Sequence, residues 1–231
     1  MKLIAASCVY MEAQYIGEML PSLQLIRDLD AIHISDGAWI RGGPIPQSTD
    51  MTKMIVEEFA KTSPIPIHWT ESNKFFASQG HKRNQQLAAI EKMYPGEDIW
   101  IFVIDGDEEL VADEPMDLKP ILARLPGPAC IEAFGFQQKL PMKTLRFIPG
   151  NRGIHYHTQK TMRMHDASCN LVMDYEQGQT RGDVKELTGL HLVNKWNIRN
   201  QQRMAFKMDY LIFKDAQPMT KCQWRETLVQ K

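Results

Sequence analysis

Short, almost wholly apolar runs alternate along this chain with longer stretches in which apolar residues recur every three or four positions. Lys2–Val9, Ala31–Ser35 and Ile99–Ile104 are too short for helices and rich in β-branched or aromatic residues, as expected of strands buried on both faces of a parallel sheet. Between them, residues 13–28 set Ile16, Leu20 and Leu23 at helical spacing, with Leu25 and Ile26 widening the apolar face, so a helix is expected despite Pro21. Asp50 can cap a helix running to about Lys61, and Ile65–Trp69 reads as a third strand whose proline suits a sheet edge. Ser78 then caps a long helix over 79–94, with Leu87, Ile90 and Met93 toward the core. This β-α-β rhythm implies a parallel sheet with helices on its faces.

After Ile104 the pattern changes. Asp117 is the candidate cap of a short helix near 117–125; Cys130–Phe136, Thr144–Ile148 and Leu187–Val193 read as strands. Residues 197–214 predict an amphipathic helix with Met204, Met208, Leu211 and Ile212 inward and Arg199, Arg203 and Lys207 on another face. Residues 150–186 are polar, histidine-rich and broken by glycine, and offer at most one more strand at Lys160–Met164. The glycine- and proline-bearing stretch 38–49 is a long loop of the kind that carries function. No internal repeat is present. The expected fold is α/β: one domain over 1–231, with a mixed, mainly parallel central sheet flanked by helices and a smaller antiparallel element in the second half.

The chemistry is expected where the most apolar strand stops. Ile104 is followed by Asp105-Gly106-Asp107-Glu108-Glu109, four carboxylates at the carboxyl end of a buried strand, which is where open α/β sheets bind their ligands. Gly106 lets the backbone bend and approach a ligand, so Asp105 and Asp107 can turn toward one point. Two hard oxygen ligands suit Mg²⁺ or Mn²⁺, with the remaining positions left to water and phosphate. The start of the 79–94 helix carries His81, Lys82, Arg83 and Asn84, against the helix dipole, and a bound anion would explain them.

Composition narrows the class. The chain has 231 residues, 43% apolar and 24% charged, as in ordinary soluble proteins, and its net charge of −1 gives no support to general nucleic-acid binding. Cys8, Cys130, Cys169 and Cys222 form no CxxC pair, which suggests neither a zinc knuckle nor a disulfide framework and fits a reducing cytoplasm. Leu3–Tyr10 is too short for an export signal, and no run approaches a transmembrane span.

In order along the chain, these residues resemble the family 2 glycosyltransferases with the GT-A (Rossmann-like) fold. Met11-Glu12 after the first strand looks like that family's "NE" start. Asp36-Gly37 and the later Ser48-Thr49-Asp50 look like a split "DDGSTD" element, and Lys82-Arg83-Asn84 resembles its "ARN" helix start. Asp105-Gly106-Asp107 resembles its DXD metal motif. Arg146-Phe147, Gly153 to Tyr156, His165-Asp166 and His191 follow the "RLF…Y…HE…H" order of one branch, with aspartate where that branch has glutamate.

The resemblance implies a metal-dependent, inverting transfer of sugar from a nucleoside-diphosphate donor, UDP- or GDP-linked, to a glycan, lipid-linked or protein acceptor. It further implies nucleotide-sugar contacts at Ser7, Tyr10, Glu12, Asp36, Lys82, Arg83, Asp105 and Gly106, in a donor-binding half spanning 1–110. Residues 111–231 would then form the acceptor side. Asp105 and Asp107, completed by His191, would hold Mn²⁺ or Mg²⁺. Asp166 is the first candidate for the catalytic base, with Glu108 or Glu109 as alternatives. His155 and His157 alternate along the chain and so do not form a metal pair.

The same acidic edge would also serve a nucleotidyltransferase or phosphohydrolase. The glycine-rich loop of sugar nucleotidyltransferases is, however, replaced after the first strand by Tyr10-Met-Glu-Ala. A non-catalytic module that binds a glycan or a protein is the third alternative.

Overall fold

The computed structural model describes residues 1–38, 45–77, 79–125, 129–135, 142–149 and 185–195. The expectations for Lys160–Met164, for the helix 197–214 with its basic face, and for His155, His157 and Asp166 fall outside them. The elements are β1 (Lys2–Val9), α1 (Ile16–Ser22), β2 (Ala31–Asp36), α2 (Thr52–Thr62), β3 (Ile67–Glu71), α3 (Gln79–Met93), β4 (Ile99–Val103), β5 (Glu108–Ala112), α4 (Lys119–Leu122), β6 (Ala129–Gly135), β7 (Met142–Pro149) and β8 (Lys185–Asn194).

Among the described residues eight strands form one sheet in the order β3-β2-β1-β4-β7-β6-β8-β5. The first four run parallel. β7 is antiparallel to β4 and to β6, β8 is parallel to β6, and β5 is antiparallel to β8. The second half thus carries the expected antiparallel pairing, with one parallel pair, β6 and β8, inside it. The sheet curls so that its β5 edge returns to α1, where Leu110 N–H donates to Ser22 Oγ at 3.1 Å.

Two cores sandwich the parallel strands. On one face Leu3, Ala5, Ile32, Ile34 and Phe102 pack with Ile16 and Met19 of α1 and Val56 of α2. On the other, Ile4, Ala6, Ala31, Ile101 and Val103 pack with Leu87 and Ile90 of α3. Burial on both faces is why these strands read as continuous apolar runs. Phe102 stacks on Phe147 at 4.6 Å, a pair that contributes roughly 1 kcal/mol beyond area burial and ties the parallel strands to the second half.

Three elements depart from expectation. The first helix ends at Ser22 and tightens into a 3₁₀ turn over Leu23–Leu25. Beyond it the backbone bonds across the fold instead: Met116 N–H donates to Leu25 O at 2.8 Å and Arg27 N–H to Met116 O at 2.9 Å. β5 was not anticipated, because its partner β8 lies far along the chain. α4 is shorter than expected, and Asp117 does not cap it. The N–H groups of Leu118 and Lys119 donate to the Asp28 carboxylate at 2.9 and 2.6 Å, while Asp117 pairs with Arg27.

Candidate active site

The winding reverses at β1. The helices α1 and α2 cover one face of the sheet and α3 covers the other, so the carboxyl ends of β1 and β4 form the switch point, the place at which open α/β sheets bind ligands. The acidic turn stands there. Glu108 N–H donates to Asp105 O at 3.0 Å, and the Glu108 carboxylate accepts from Asp105 N–H at 2.9 Å, closing the turn from both ends. Asn194 Nδ2 donates to the same carboxylate at 3.5 Å, and Lys195 N–H donates to Asp107 O at 2.9 Å. Gly106 is buried against the β1 loop: a Cβ there would stand 2.8 Å from Glu12 Cγ and 3.1 Å from Val9 Cγ1. The glycine is required by close packing.

The carboxylates differ in access. Asp105 keeps a quarter of its side chain exposed and accepts a charge-assisted bond from Arg83 Nη2. Asp107 and Glu108 are buried at 4% and 3%. Glu109 forms an ion pair with Lys195 at 2.6 Å, and Lys195 also pairs with Glu18. These partners hold the Lys195 ammonium above its ordinary range against the opposing pull of burial, the largest influence on it.

The start of α3 is organised differently from expectation. Lys82 is fully buried and donates to Val9 O at 2.7 Å and Gly37 O at 2.6 Å, with its ammonium 5.6 Å from the Phe76 ring centroid. Burial lowers its pKa. Gln86, one turn on, donates to Ser7 O and His33 O, both at 2.9 Å, and accepts from Cys8 Sγ at 3.3 Å. His81 accepts from Ala77 N–H at 3.2 Å. Lys82 and Arg83 therefore answer to carbonyls and a carboxylate, so a bound anion is not needed to explain the basic turn.

At the end of β2, Asp36 is buried and accepts from Ser48 N–H at 2.9 Å and Ser48 Oγ at 2.6 Å. Burial raises its pKa, opposed by these bonds. The Ser48–Thr52 segment is also bound to the β1 loop: Met11, Glu12 and Ala13 donate their N–H groups to Ser48 Oγ, Thr52 Oγ1 and Asp50 Oδ2 at 2.8, 2.8 and 3.0 Å. Tyr10 Oη donates to Ile45 O at 3.1 Å. The two parts of the split element thus meet in space.

Tyr10, Glu12, Asp36, Lys82, Arg83, Gly106 and the acidic turn consequently cluster at the carboxyl ends of β1, β2 and β4. Ser7 is wholly buried and its Oγ has no hydrogen-bond partner, so it lies beneath the crevice rather than in it. His191 is not brought to the acidic turn. It stands opposite Val111 and edge-on to Phe134 at 5.0 Å, four strand positions from the Lys195 that meets Asp107, or about 13 Å along the sheet. Among the described residues no group of three or more histidine, cysteine or acidic side chains could hold a metal. Sequence reasoning missed Gln86. Its signal was a polar side chain four residues after Lys82 on the stripe that continues to Ile90.

The sequence matches no family model, and no curated protein matches it. Solved structures do. The chain superposes on S. aureus TarS 1–349 with a TM-score of 0.56 at 14% identity, covering 99% of this chain and 69% of that one. The same protein in complex with UDP gives 0.55 at 15% identity, covering 99% and 70%. A longer TarS chain is matched over 61% of this chain and only 23% of its own length. This likeness shows the architecture: a mixed α/β fold of the GT-A type, built on a curled, mainly parallel sheet.

Proposed function

We propose that this chain is a glycosyltransferase that takes a sugar from a UDP- or GDP-linked donor bound at the carboxyl ends of β1, β2 and β4. The reading rests on one observation above all: on a GT-A-like fold, the Asp105–Glu108 turn sits at the switch point with one carboxylate open to solvent and held by Arg83. The UDP complex of the similarly folded TarS supports a nucleotide donor. Residues 1–110 supply the donor side of a single domain and 111–231 the acceptor side. Cys8 and Cys130, the cysteines among the described residues, form no disulfide there, which fits a cytoplasmic setting.

Asp105 and Asp107 would hold Mn²⁺ or Mg²⁺, which supplies positive charge where the departing diphosphate gains negative charge. Arg83 orients Asp105 and adds a second cation beside it. Inversion requires a base on the acceptor side; Asp166 is assigned that role. The Glu108 carboxylate is buried and bonded to Asp105 N–H and Asn194, so Glu108 holds the turn rather than reaching an acceptor. His191 supports the sheet beside Phe134.

The test is thermal unfolding with a nucleotide panel, with and without Mn²⁺. UDP or GDP at a hundredfold its dissociation constant should stabilise the fold by about 2.7 kcal/mol, and only with metal. No response to any nucleotide would overturn the proposal. Sugar released equally fast without acceptor would turn the assignment to hydrolysis.

A further inference from the structure

Two side chains one helical turn apart on α3 reach into the seam between β1 and β2. Gln86 bridges the carbonyls of Ser7 and His33 inside the seam, and Lys82 bridges those of Val9 and Gly37 at its open end. An ammonium exposed at only 1% is costly unless its surroundings compensate. Here the two carbonyls, the Phe76 ring and the Asp36 and Glu12 carboxylates do so. The gripped carbonyls belong to residues that matter elsewhere. Val9 leads into the loop carrying Glu12, and the Val9 and Glu12 side chains are the surface on which Gly106 rests. Gly106 separates Asp105 from Asp107.

We infer that Lys82 is a positioning residue: by tying the ends of β1 and β2, its ammonium sets the height of Val9 and Glu12 and so fixes where the Asp105-Gly106-Asp107 turn stands. This replaces the direct donor contact expected of Lys82, and it rests on the proposed function only in taking that turn as the donor site. An apolar side chain of equal length would fill the space and take the ammonium from both carbonyls, leaving Val9 O its weaker backbone bond from Gly37 N–H at 3.2 Å.

The experiment compares Lys82→Met with Leu122→Ala, which hollows the core at α4, remote from the turn. Two quantities are read in the full chain: the ¹⁵N–¹H shifts of Gly106 and Asp107 without ligand, and the Mn²⁺ dissociation constant. Lys82→Met should move both amides and weaken Mn²⁺ binding about tenfold, which corresponds to about 1.4 kcal/mol. Leu122→Ala should lower the melting temperature and leave both readings in place. If Lys82→Met does not fold, Lys82→Gln, which keeps an N–H donor on a shorter arm, supplies the comparison.

Unmoved amides with unchanged Mn²⁺ affinity would overturn the inference, as would equal shifts in Leu122→Ala. Loss of the fold in both Lys82 variants would overturn it too, since positioning requires that the domain stand without the ammonium. Moved amides in a protein whose wild type binds neither Mn²⁺ nor nucleotide would retain the positioning role and sink the proposed function alone.

Discussion

Two strands of this sheet end in the same dipeptide at the same edge, and the two ends behave in opposite ways. Asp36-Gly37 closes β2: both carboxylate oxygens are taken by Ser48, and Gly37 adopts φ of +139° against Phe76. Asp105-Gly106 follows β4 and stays open: Asp105 is a quarter exposed, held by a cation, and Gly106 is kept small by Glu12. An aspartate-glycine pair at a strand end is therefore not a site in itself. The returning loop decides, by covering one carboxylate and leaving the other in reach of water.

The sharpest way to break this contrast is at the open end. Asp107→Asn should cut sugar transfer by about 10²–10³-fold, as expected when a group that stabilises developing charge is lost. Steady-state transfer assays and a melting curve would check it, and an active variant would empty the open end of its proposed meaning.

The closed end carries an acid-labile group. His33 on β2 is fully buried, and burial, with a smaller push from His68, lowers its pKa to about 4. An unfolded histidine titrates near 6.5, so the unfolded state takes up the proton first. Stability from this residue is complete above about pH 6.5 and should fall by up to about 3 kcal/mol as pH drops toward 4. Urea midpoints at pH 7, 5.5 and 4.5 would show the slope, and His33→Asn should flatten it.

Asp36→Ala should cost about 2 kcal/mol through the lost Ser48 bonds, measured by urea unfolding, while Mn²⁺ affinity changes little. Equal losses of both would mean that the two ends are not separable. Gly106→Ala should cost about 2 kcal/mol of crowding against the buried Glu12 and Val9 side chains, appearing in Mn²⁺ titration as well as in melting temperature.

The contrast also explains what was legible in the sequence. β1, β2, β4 and α3 declared themselves because burial on both faces, or on one helical stripe, is written into consecutive residues such as Ile99–Val103. The acidic turn was legible for the same reason, as an abrupt end to that run. What stayed hidden depends on partners far along the chain. Asp28 caps α4 from across the fold, β8 creates β5, and Met116 ends the helical course after Leu25. Lys82 reads as a ligand contact because a charged residue at a helix start looks solvated, and nothing local reveals the two carbonyls that receive it.

The placement of β5 has a consequence for how the protein matures. Although it directly follows the acidic turn, among the described residues it joins the sheet only through β8, and Asp107 O waits for Lys195 N–H. Such distant pairings close slowly. A newly made chain would therefore assemble its parallel half first and acquire a finished turn only when residues 185–195 dock, so that binding competence trails compaction.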